Sequence, residues 1–418
     1  MIVVGRSATI RDVASGPHEA DRRRRSLDVR LRGFADRVSV ERAQAWVDQH
    51  AARLAPVDVS VEEALVRVLA APLAAREDHP PIARAREDGY AARSADTVGA
   101  STYNPVTLRL CSPSGLVGSG AAALVAAGAA VPAGADAIVG FDAAQRAGPE
   151  LEVIAAVAEG AGIERRGQQV HAGAPLGVDG RPLRAHDVAF LASLRLERVA
   201  VVGRPRASLV VAGAKPAAGR AASDAHGPML RAVVQRDGGV LEPSGAGADL
   251  RIAILRAASE PRPDLVIVTG RTGTGPDDDA PLALADAGEL PIHGVALRPG
   301  GSVAMGVASE VPVFSLPGDP LACLLAYELF AGRLVRGLGG RAPGLPHRTL
   351  VAELTRKIVS SVGSMDVCQV RLVAGRAEPL GVLESGGLAA AARADGFVIV
   401  PAPLEGYAPG ALVTVHTY

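Results

Sequence analysis

The sequence has very little lysine, and its charges balance. Lysine occurs only at Lys215 and Lys357, so arginine supplies nearly all of the positive charge. The 44 basic residues equal the 44 acidic residues, so no excess charge points to nucleic acid or an anionic membrane as the main partner. Nucleic acid is therefore not expected among the partners.

Cysteine is also scarce. Cys111, Cys323 and Cys368 are far apart and form no CxxC pair. An odd number of cysteines at this spacing indicates neither a disulfide framework nor a zinc site. The nine histidines likewise lack metal-ligand spacing. A reducing, cytoplasmic compartment is the simplest one that agrees with this composition.

Long apolar runs are absent. The longest weakly polar stretch, residues 120–139, is dominated by alanine and interrupted by glycine, proline and aspartate, so it will not span a bilayer. No apolar segment precedes the arginine run at residues 22–25, so we expect no secretory signal. Membranes are therefore not expected among the partners.

The chain is long enough for two to four domains, because 418 residues exceed what one core usually supports. Residues 1–36 are rich in arginine. They are expected to form a disordered, solvated arm, although an arginine run can also bind nucleic acid or an acidic patch on a partner. Apolar spacing then predicts one amphipathic helix from Ser39 toward Leu54 and a second over Val61–Leu69.

The rest of the chain divides into three patterns. Residues 90–200 contain short apolar segments between glycines, which predict a β-rich region. From residue 203 strands alternate with helices, which predicts a parallel sheet with its ligand at the carboxyl ends of the strands. After residue 346 strand patterns return with one helix, indicating a small β domain. The predicted segments are strands Val106–Leu110, Ala137–Phe141, Leu151–Val157, Ser208–Val211, Leu265–Thr269 and Val311–Leu316, and helices Pro228–Val234, Arg251–Ala257 and Leu388–Arg393.

Two glycine loops follow strands of the alternating region. In Asp264–Asp279 an apolar strand runs into a glycine-rich loop and then three carboxylates. Glycine lets backbone N–H groups close around a phosphate, and carboxylates can hold its metal ion. In the second loop, Asp319 and Pro320 predict the start of a helix over Leu321–Phe330, whose free N–H groups attract anions. Either loop alone is also compatible with an ordinary turn, but together they indicate a phosphate-binding pocket.

Seven motifs lie in a fixed order along residues 38–418. They are HPPIAR with EDGYA (79–91), GAAVPAGADAIV (128–139), RRGQQVHAG (165–173), RPRASLVVAG (204–213), TGRTGTGPDDD (269–279), ALRPGGS (296–302) and LPGDP (316–320). This set resembles the molybdopterin molybdenumtransferase family, which includes MoeA and the gephyrin E domain. No single motif carries the resemblance.

The resemblance implies a multidomain α/β protein that forms a homodimer. After the arm (1–36) it implies N-terminal MoeA-like domains of linker helices and a β-rich domain (37–202), a MogA-like α/β domain with a parallel-rich sheet (203–342) and a C-terminal β domain (346–418). It implies Mg²⁺-dependent insertion of molybdate into adenylylated molybdopterin with release of AMP, at a cleft between two subunits. Other proteins that handle the molybdenum cofactor are further candidate partners.

The same resemblance implies the site residues. Asp88, Asp249 and Asp278 match catalytic acids, and Asp88 and Asp278 would hold the metal ion. The residues matched to cofactor binding are Gly270, Thr272, Gly273, Gly275, Pro299, Gly300, Ser302, Pro317, Gly318, Asp319 and Pro320.

Several motif positions depart from the family pattern. Ala127 replaces a threonine, and Gln168 with Gln169 stands in place of Glu-Asp. Ala214 and Lys215 stand where the family has two acids. The PGKP loop reads Pro-Gly-Gly-Ser here, without its lysine. Because Mg²⁺ and oxyanion transfer depend on placed charge, an alternative is a catalytically impaired homologue that binds molybdopterin or a cofactor-handling partner without transfer.

Overall fold

The computed structural model describes residues 28–212, 225–243, 249–259, 261–381 and 387–418. The chain forms two compact units. We call Val59–Leu65 with Leu69–Val199 the N-terminal unit, and Met1–Asp58 with Val66–Val68 and Ala200–Tyr418 the main unit. The predictions for Ala214, Lys215 and the first 27 residues of the arm fall outside the described residues.

The helices and strands are numbered in chain order. The α-helices are α1 (Val40–Gln49), α2 (Ala185–Ser193), α3 (His226–Arg236), α4 (Leu250–Ala257), α5 (Ala280–Ala287), α6 (Pro320–Ala326), α7 (Gly332–Leu338) and α8 (Gly387–Arg393). The strands up to residue 202 are β1 (Pro56–Ser60), β2 (Arg84–Ala85), β3 (Gly89–Ala92), β4 (Val106–Cys111), β5 (Ala121–Val125), β6 (Ala137–Gly140), β7 (Ala144–Ala147), β8 (Glu150–Val153), β9 (Ile163–Glu164) and β10 (Arg198–Val202). Those that follow are β11 (Arg206–Val211), β12 (Val240–Pro243), β13 (Leu265–Thr269), β14 (Glu289–His293), β15 (Leu297–Arg298), β16 (Ala304–Ala308), β17 (Val311–Leu316), β18 (Arg348–Leu354), β19 (Ile358–Val359), β20 (Met365–Val373), β21 (Arg376–Pro379), β22 (Gly396–Val400), β23 (Gly406–Tyr407) and β24 (Leu412–Thr417).

The first predicted helix is present but shorter than its apolar spacing suggested. Ser39 is its N-cap, and the Ser39 side chain accepts a hydrogen bond from the Arg42 N–H at 3.2 Å. The helix ends at Gln49, so Leu54 lies beyond it and packs against the same core from the following segment.

The second predicted helix, over Val61–Leu69, is wrong. Only a single 3₁₀ turn forms, at Glu62–Ala64. Val66 adopts a φ of 57°, in the left-handed region, which ends right-handed helical geometry at this point. The helical spacing of the apolar residues could not reveal this left-handed residue.

The N-terminal unit contains a six-stranded sheet in the order β6-β3-β5-β4-β8-β7. Strands β4 and β5 pair in parallel, and the other neighbours are antiparallel. The predicted strands at Val106, Ala137 and Leu151 are β4, β6 and β8, so the β-rich prediction is confirmed. Leu108 and Leu151 pack at the centre of this sheet's core.

The main unit contains the α/β sheet, in the order β12-β11-β13-β17-β16-β14. Strands β12, β11, β13 and β17 are parallel, while β16 runs antiparallel to both of its neighbours, β17 and β14. Every residue of β13 is buried, as expected for a central strand with both faces covered. The predicted parallel-rich sheet is confirmed, and its strands deliver the glycine loops to one edge.

The helix after β17 begins where the sequence predicted. Asp319 is the N-cap of α6 and Pro320 its first residue. The α-helical pattern stops at Ala326, and the chain continues through a π turn, Tyr327–Ala331, into α7. The buried Glu328 of this turn forms an ion pair with Arg236 at the end of α3.

The C-terminal region forms a third six-stranded sheet, in the order β15-β20-β21-β18-β24-β22. The predicted β domain is therefore confirmed, as is its one helix, α8. Strand β15 pairs in parallel with β20, so the two residues that precede Pro299 belong to the C-terminal sheet. One of the predicted binding loops is thus anchored by a sheet that is distant in sequence.

Candidate functional site

The first glycine loop begins at the carboxyl end of β13. Gly270 has a φ of 89°, which only glycine adopts readily, and its N–H donates to the Leu316 carbonyl at 3.0 Å. Further along the loop, the Gly275 N–H donates to Asp278 Oδ2 at 2.7 Å. The loop therefore closes on its own carboxylate, which leaves Asp278 Oδ1 for other contacts.

The second glycine loop lies against the first. A Cβ atom added at Gly318 would lie 3.3 Å from the Gly270 Cα atom. Asp319 Oδ1 accepts a hydrogen bond from the Ala322 N–H at 2.8 Å, which fixes the start of α6. The turn residues Gly318 and Asp319 are exposed while Pro317 is buried, so the turn presents its backbone outward.

The third loop, Pro299–Ser302, joins the same site through a pair of hydroxyl groups. Thr272 Oγ1 and Ser302 Oγ lie 2.9 Å apart, and Thr272 is only 2 % exposed. The structure therefore brings together three segments that are separated by about thirty and fifteen residues. The predicted cofactor-binding residues form one continuous rim at the carboxyl edge of the parallel strands.

Asp249 and Asp279 line a separate cleft beside this rim. Asp249 is the N-cap of α4, and its Oδ1 accepts from the Ile252 N–H at 3.1 Å. The cleft has a volume of about 380 Å³ and is lined by Arg30, Asp249, Leu250, Arg251, Asp279, Leu282, Ala283 and Asp286. Asp249 thus caps α4 and also lines the cleft.

Asp88, the third predicted acid, belongs to the N-terminal unit. It is exposed, and its Oδ1 accepts a hydrogen bond from the Ala127 N–H at 2.8 Å. Ala127 thus donates from its backbone, although it lacks the side-chain hydroxyl of the family pattern. Whether Asp88 and Asp278 share a metal ion remains a prediction.

The glutamines that replace family acids take part in local hydrogen bonds. Gln168 Oε1 accepts from the Arg165 N–H at 2.8 Å, and Gln169 Nε2 donates to Glu164. Glu164 also accepts from Arg84 Nε at 2.6 Å. The hydrogen bonds from Arg84 and then Gln169 lower the pKa of Glu164. A neutral amide at 169 can donate to this carboxylate, which an acid at that position could not do when ionised.

Two features of the site were missed by the sequence predictions. Residues 28–37, which we call the arm segment, lie along the first and third loops: the Leu31 N–H donates to the Thr274 carbonyl at 2.8 Å. In addition, Arg298 forms a two-point ion pair with the fully buried Asp366. No local motif marks either contact, since both join residues far apart in sequence.

Within the residues that the structure describes, no group of three or more histidine, cysteine, aspartate or glutamate side chains is arranged to hold a metal ion. No helix in that part of the chain is long and apolar enough to cross a membrane.

Comparisons with known proteins cover most of the chain. Three family models match: "MoeA N-terminal region (domain I and II)" at residues 38–194, "Probable molybdopterin binding domain" at 208–336, and "MoeA C-terminal region (domain IV)" at 351–418. A molybdopterin molybdenumtransferase of Staphylococcus aureus is 26% identical over 400 residues, covering 90% of this chain and 94% of its own.

Solved structures give the same result. A molybdopterin biosynthesis MoeA protein of Pyrococcus horikoshii aligns with a TM-score of 0.74 at 25% identity, covering 92% of this chain and 100% of its own. A second structure under the same protein name gives a TM-score of 0.72 at 28% identity, over 91% and 99%. The similarity therefore extends over all three matched regions and not over the α/β sheet alone.

Proposed function

The chain belongs to the MoeA family of molybdenum cofactor biosynthesis proteins, and on this basis we propose that it inserts molybdate into adenylylated molybdopterin with release of AMP. The observation that carries this proposal is the assembly of the three loops into one rim. A Cβ atom added at Gly318 would lie 3.3 Å from the Gly270 Cα atom, and Thr272 Oγ1 lies 2.9 Å from Ser302 Oγ, at the edge where parallel α/β sheets bind their ligands.

The rim offers groups suited to phosphoryl and pyrophosphoryl oxygens. The two glycine loops place backbone next to the ligand without intervening side chains. The Thr272 and Ser302 hydroxyls are paired with each other and can redirect one proton toward an anionic oxygen. The rim would hold the phosphate-bearing part of the pterin nucleotide and keep its reacting sulfurs oriented for transfer.

The predicted carboxylates fit Mg²⁺ in their donor chemistry. Asp88 and Asp278 each use one oxygen to accept a backbone N–H, so each retains an oxygen for a metal ion. Mg²⁺ is commonly held by one or two carboxylates together with substrate phosphates and water. When bound, Mg²⁺ would neutralise negative charge on the phosphates and on molybdate.

We also propose that the protein acts as a homodimer in the cytoplasm, with Asp88 of one subunit completing the site of the other. The proposal rests on family membership. Other molybdenum cofactor proteins are candidate partners.

A second candidate is binding without transfer. It is favoured by the neutral Gln168 and Gln169 and by the engagement of Asp278 with its own loop. In that case the rim would retain the pterin nucleotide, while the chemistry of molybdate insertion would be lost.

Isosteric removal of the carboxylates separates the two candidates. Asp278→Asn and Asp88→Asn should lower molybdate insertion by orders of magnitude and change pterin binding little, because the charge matters mainly in the transition state. Asp277→Asn is the matched control, since Asp277 is exposed beside Asp278. Insertion would be measured by AMP release and by reconstitution of a molybdenum-dependent enzyme.

Three results are informative. Loss of insertion in both variants but not in the control supports the enzyme. Pterin binding by the wild-type protein without any AMP release supports the binding homologue. Full activity in both variants would show that neither carboxylate takes part.

A further inference from the structure

The arm segment precedes the residues that match the family, yet it lies on the predicted binding loops. Leu31 and Arg30 both contact the first glycine loop: the Leu31 N–H donates to the Thr274 carbonyl at 2.8 Å, and Arg30 Nη1 to the Pro276 carbonyl at 3.4 Å. The family match begins at residue 38. The arm segment thus lies outside the stretch that this family model matches, yet it contacts the candidate site.

The middle of the arm segment is fixed by an aromatic contact. The Phe34 ring packs edge-on against His293 with centroids 5.2 Å apart. A Cβ atom at Gly294 would lie 2.6 Å from Phe34 Cδ1, so glycine is needed there for the ring to fit. The Arg37 guanidinium then lies 5.0 Å from the centre of the same ring. These contacts place Arg37 at a defined position.

Arg37 lies beside Gly301, the residue of the third loop that has no side chain. A Cβ atom at Gly301 would be 2.8 Å from the Leu297 carbonyl oxygen and 3.1 Å from that of Val295, so the loop in this conformation cannot carry a side chain there. Arg37 Nε is 3.6 Å from the same Cβ position. Gly301 occupies the lysine position of the PGKP motif that this chain resembles, so a cation is restored beside the loop from another part of the chain.

Arg37 also differs from Arg30, the arginine of the arm segment that contacts the first loop. Arg30 is neutralised by Asp28, with Arg30 Nε 2.9 Å from Asp28 Oδ1, and this hydrogen bond lowers the pKa of Asp28 to about 2. Among the described residues, Arg37 has no carboxylate partner. Arg37 is exposed, and its Nε lies beside Gly301, the residue before Ser302. Arg30 therefore anchors the segment, while Arg37 keeps its charge available.

We propose that Arg37 binds an anionic oxygen of the ligand held at the Thr272–Ser302 rim, so that the arm segment completes the binding site. The inference rests on the proposed function. The chemistry is shared by two sources, a phosphate ester of the pterin nucleotide and the molybdate ion. A guanidinium suits both, since it remains charged and donates several hydrogen bonds in one plane.

The test compares three variants of the full chain: Arg37→Gln, Arg37→Lys and Arg32→Gln. Arg32 is the matched control, because it lies exposed on the same segment and its loss changes the net charge equally. Calorimetry would measure the affinity of each protein for AMP and, separately, for sodium molybdate. Thermal unfolding would establish that each variant is folded.

Arg37→Gln should weaken binding of one of the two anions about tenfold, as expected for loss of a charge-assisted hydrogen bond. Arg37→Lys should retain part of that affinity, and Arg32→Gln should retain nearly all of it. Loss for AMP alone assigns the phosphate ester, and loss for molybdate alone assigns the oxyanion.

Equal affinities in Arg37→Gln and Arg32→Gln would overturn the inference, and so would a wild-type protein that binds neither anion. If the wild-type protein inserts molybdate while the two variants behave alike, the inference fails and the proposed function stands. If Arg37→Gln loses anion affinity but the wild-type protein shows no transfer, the inference stands and the enzyme assignment fails.

Discussion

Replacing Arg298 should destabilise the protein more than replacing its partner Asp366. Arg298 Nε donates to Asp366 Oδ1 at 2.8 Å, and a second hydrogen bond joins Nη2 to Oδ2. The Asp366 side chain is fully buried, whereas 31% of the Arg298 side chain is exposed. Without its partner, the buried Asp366 carboxylate has no access to water, whereas the Arg298 guanidinium is still partly hydrated.

The magnitudes follow from this difference. Arg298→Met leaves a buried carboxylate without a counter-charge, which costs about 3–5 kcal/mol. Asp366→Asn leaves a guanidinium that can still reach water and an amide that can still accept one hydrogen bond, so the cost should be about 1–2 kcal/mol. The double variant Arg298→Met with Asp366→Leu should recover much of the loss, because no buried charge remains.

The control is an exposed ion pair on the same sheet. Arg376 Nη2 lies 2.6 Å from Glu353 Oε1, and both side chains are about half exposed. Arg376→Met should therefore cost at most about 1 kcal/mol. Arg298→Met should in addition weaken ligand binding at the third loop, since Arg298 directly precedes Pro299.

Urea unfolding followed by circular dichroism would measure these differences, with ligand affinity measured in parallel. The reasoning is refuted if Arg298→Met costs no more than Arg376→Met. It is also refuted if Asp366→Asn is the more damaging of the two single substitutions.

Two further predictions concern acids of the main unit. Asp249→Ser keeps a side chain that can cap α4 but removes the carboxylate, so molybdate transfer should fall while stability changes little. Asp249→Ala also removes the cap and should in addition cost about 1 kcal/mol of stability. Equal transfer rates in Asp249→Ser and wild type would show that Asp249 only caps the helix. Burial acts to raise the pKa of Glu328, but the His347 ring, with Nε2 3.3 Å from Glu328 Oε1, and the hydrogen bonds from Arg236 lower that pKa to about 2. Because the pKa of Glu328 is lower in the folded than in the unfolded state, the ionised carboxylate stabilises the protein above about pH 4.5, and this stabilisation is lost as the pH falls toward 2. Glu328→Gln should therefore lower the free energy of unfolding at pH 7 by on the order of 3 kcal/mol and should flatten its decline at acid pH, as measured by urea unfolding. An unchanged dependence of the unfolding free energy on pH would contradict this prediction.

Local signals in the sequence determined much of the fold. The N-cap at Ser39, the Asp319–Pro320 helix start and the apolar run Leu265–Val268 of β13 are each signals that act over a few residues, so the local sequence is enough to encode them. The predicted helix at Val61–Leu69 failed for the same reason, since apolar spacing does not report a left-handed residue such as Val66. The order of the motifs was enough to indicate the family.

Tertiary structure alone decided how the site is completed. The sequence identified the glycine loops, but the pairing of Thr272 with Ser302 depends on the sheet order that brings the loops together. The placement of Arg37 beside Gly301 depends on Phe34 docking, and no local pattern encodes it. Residues that are hundreds of positions apart come into contact only when the core packs and holds their segments together. A short motif can therefore predict a glycine loop, but it cannot predict that Arg37 lies beside it.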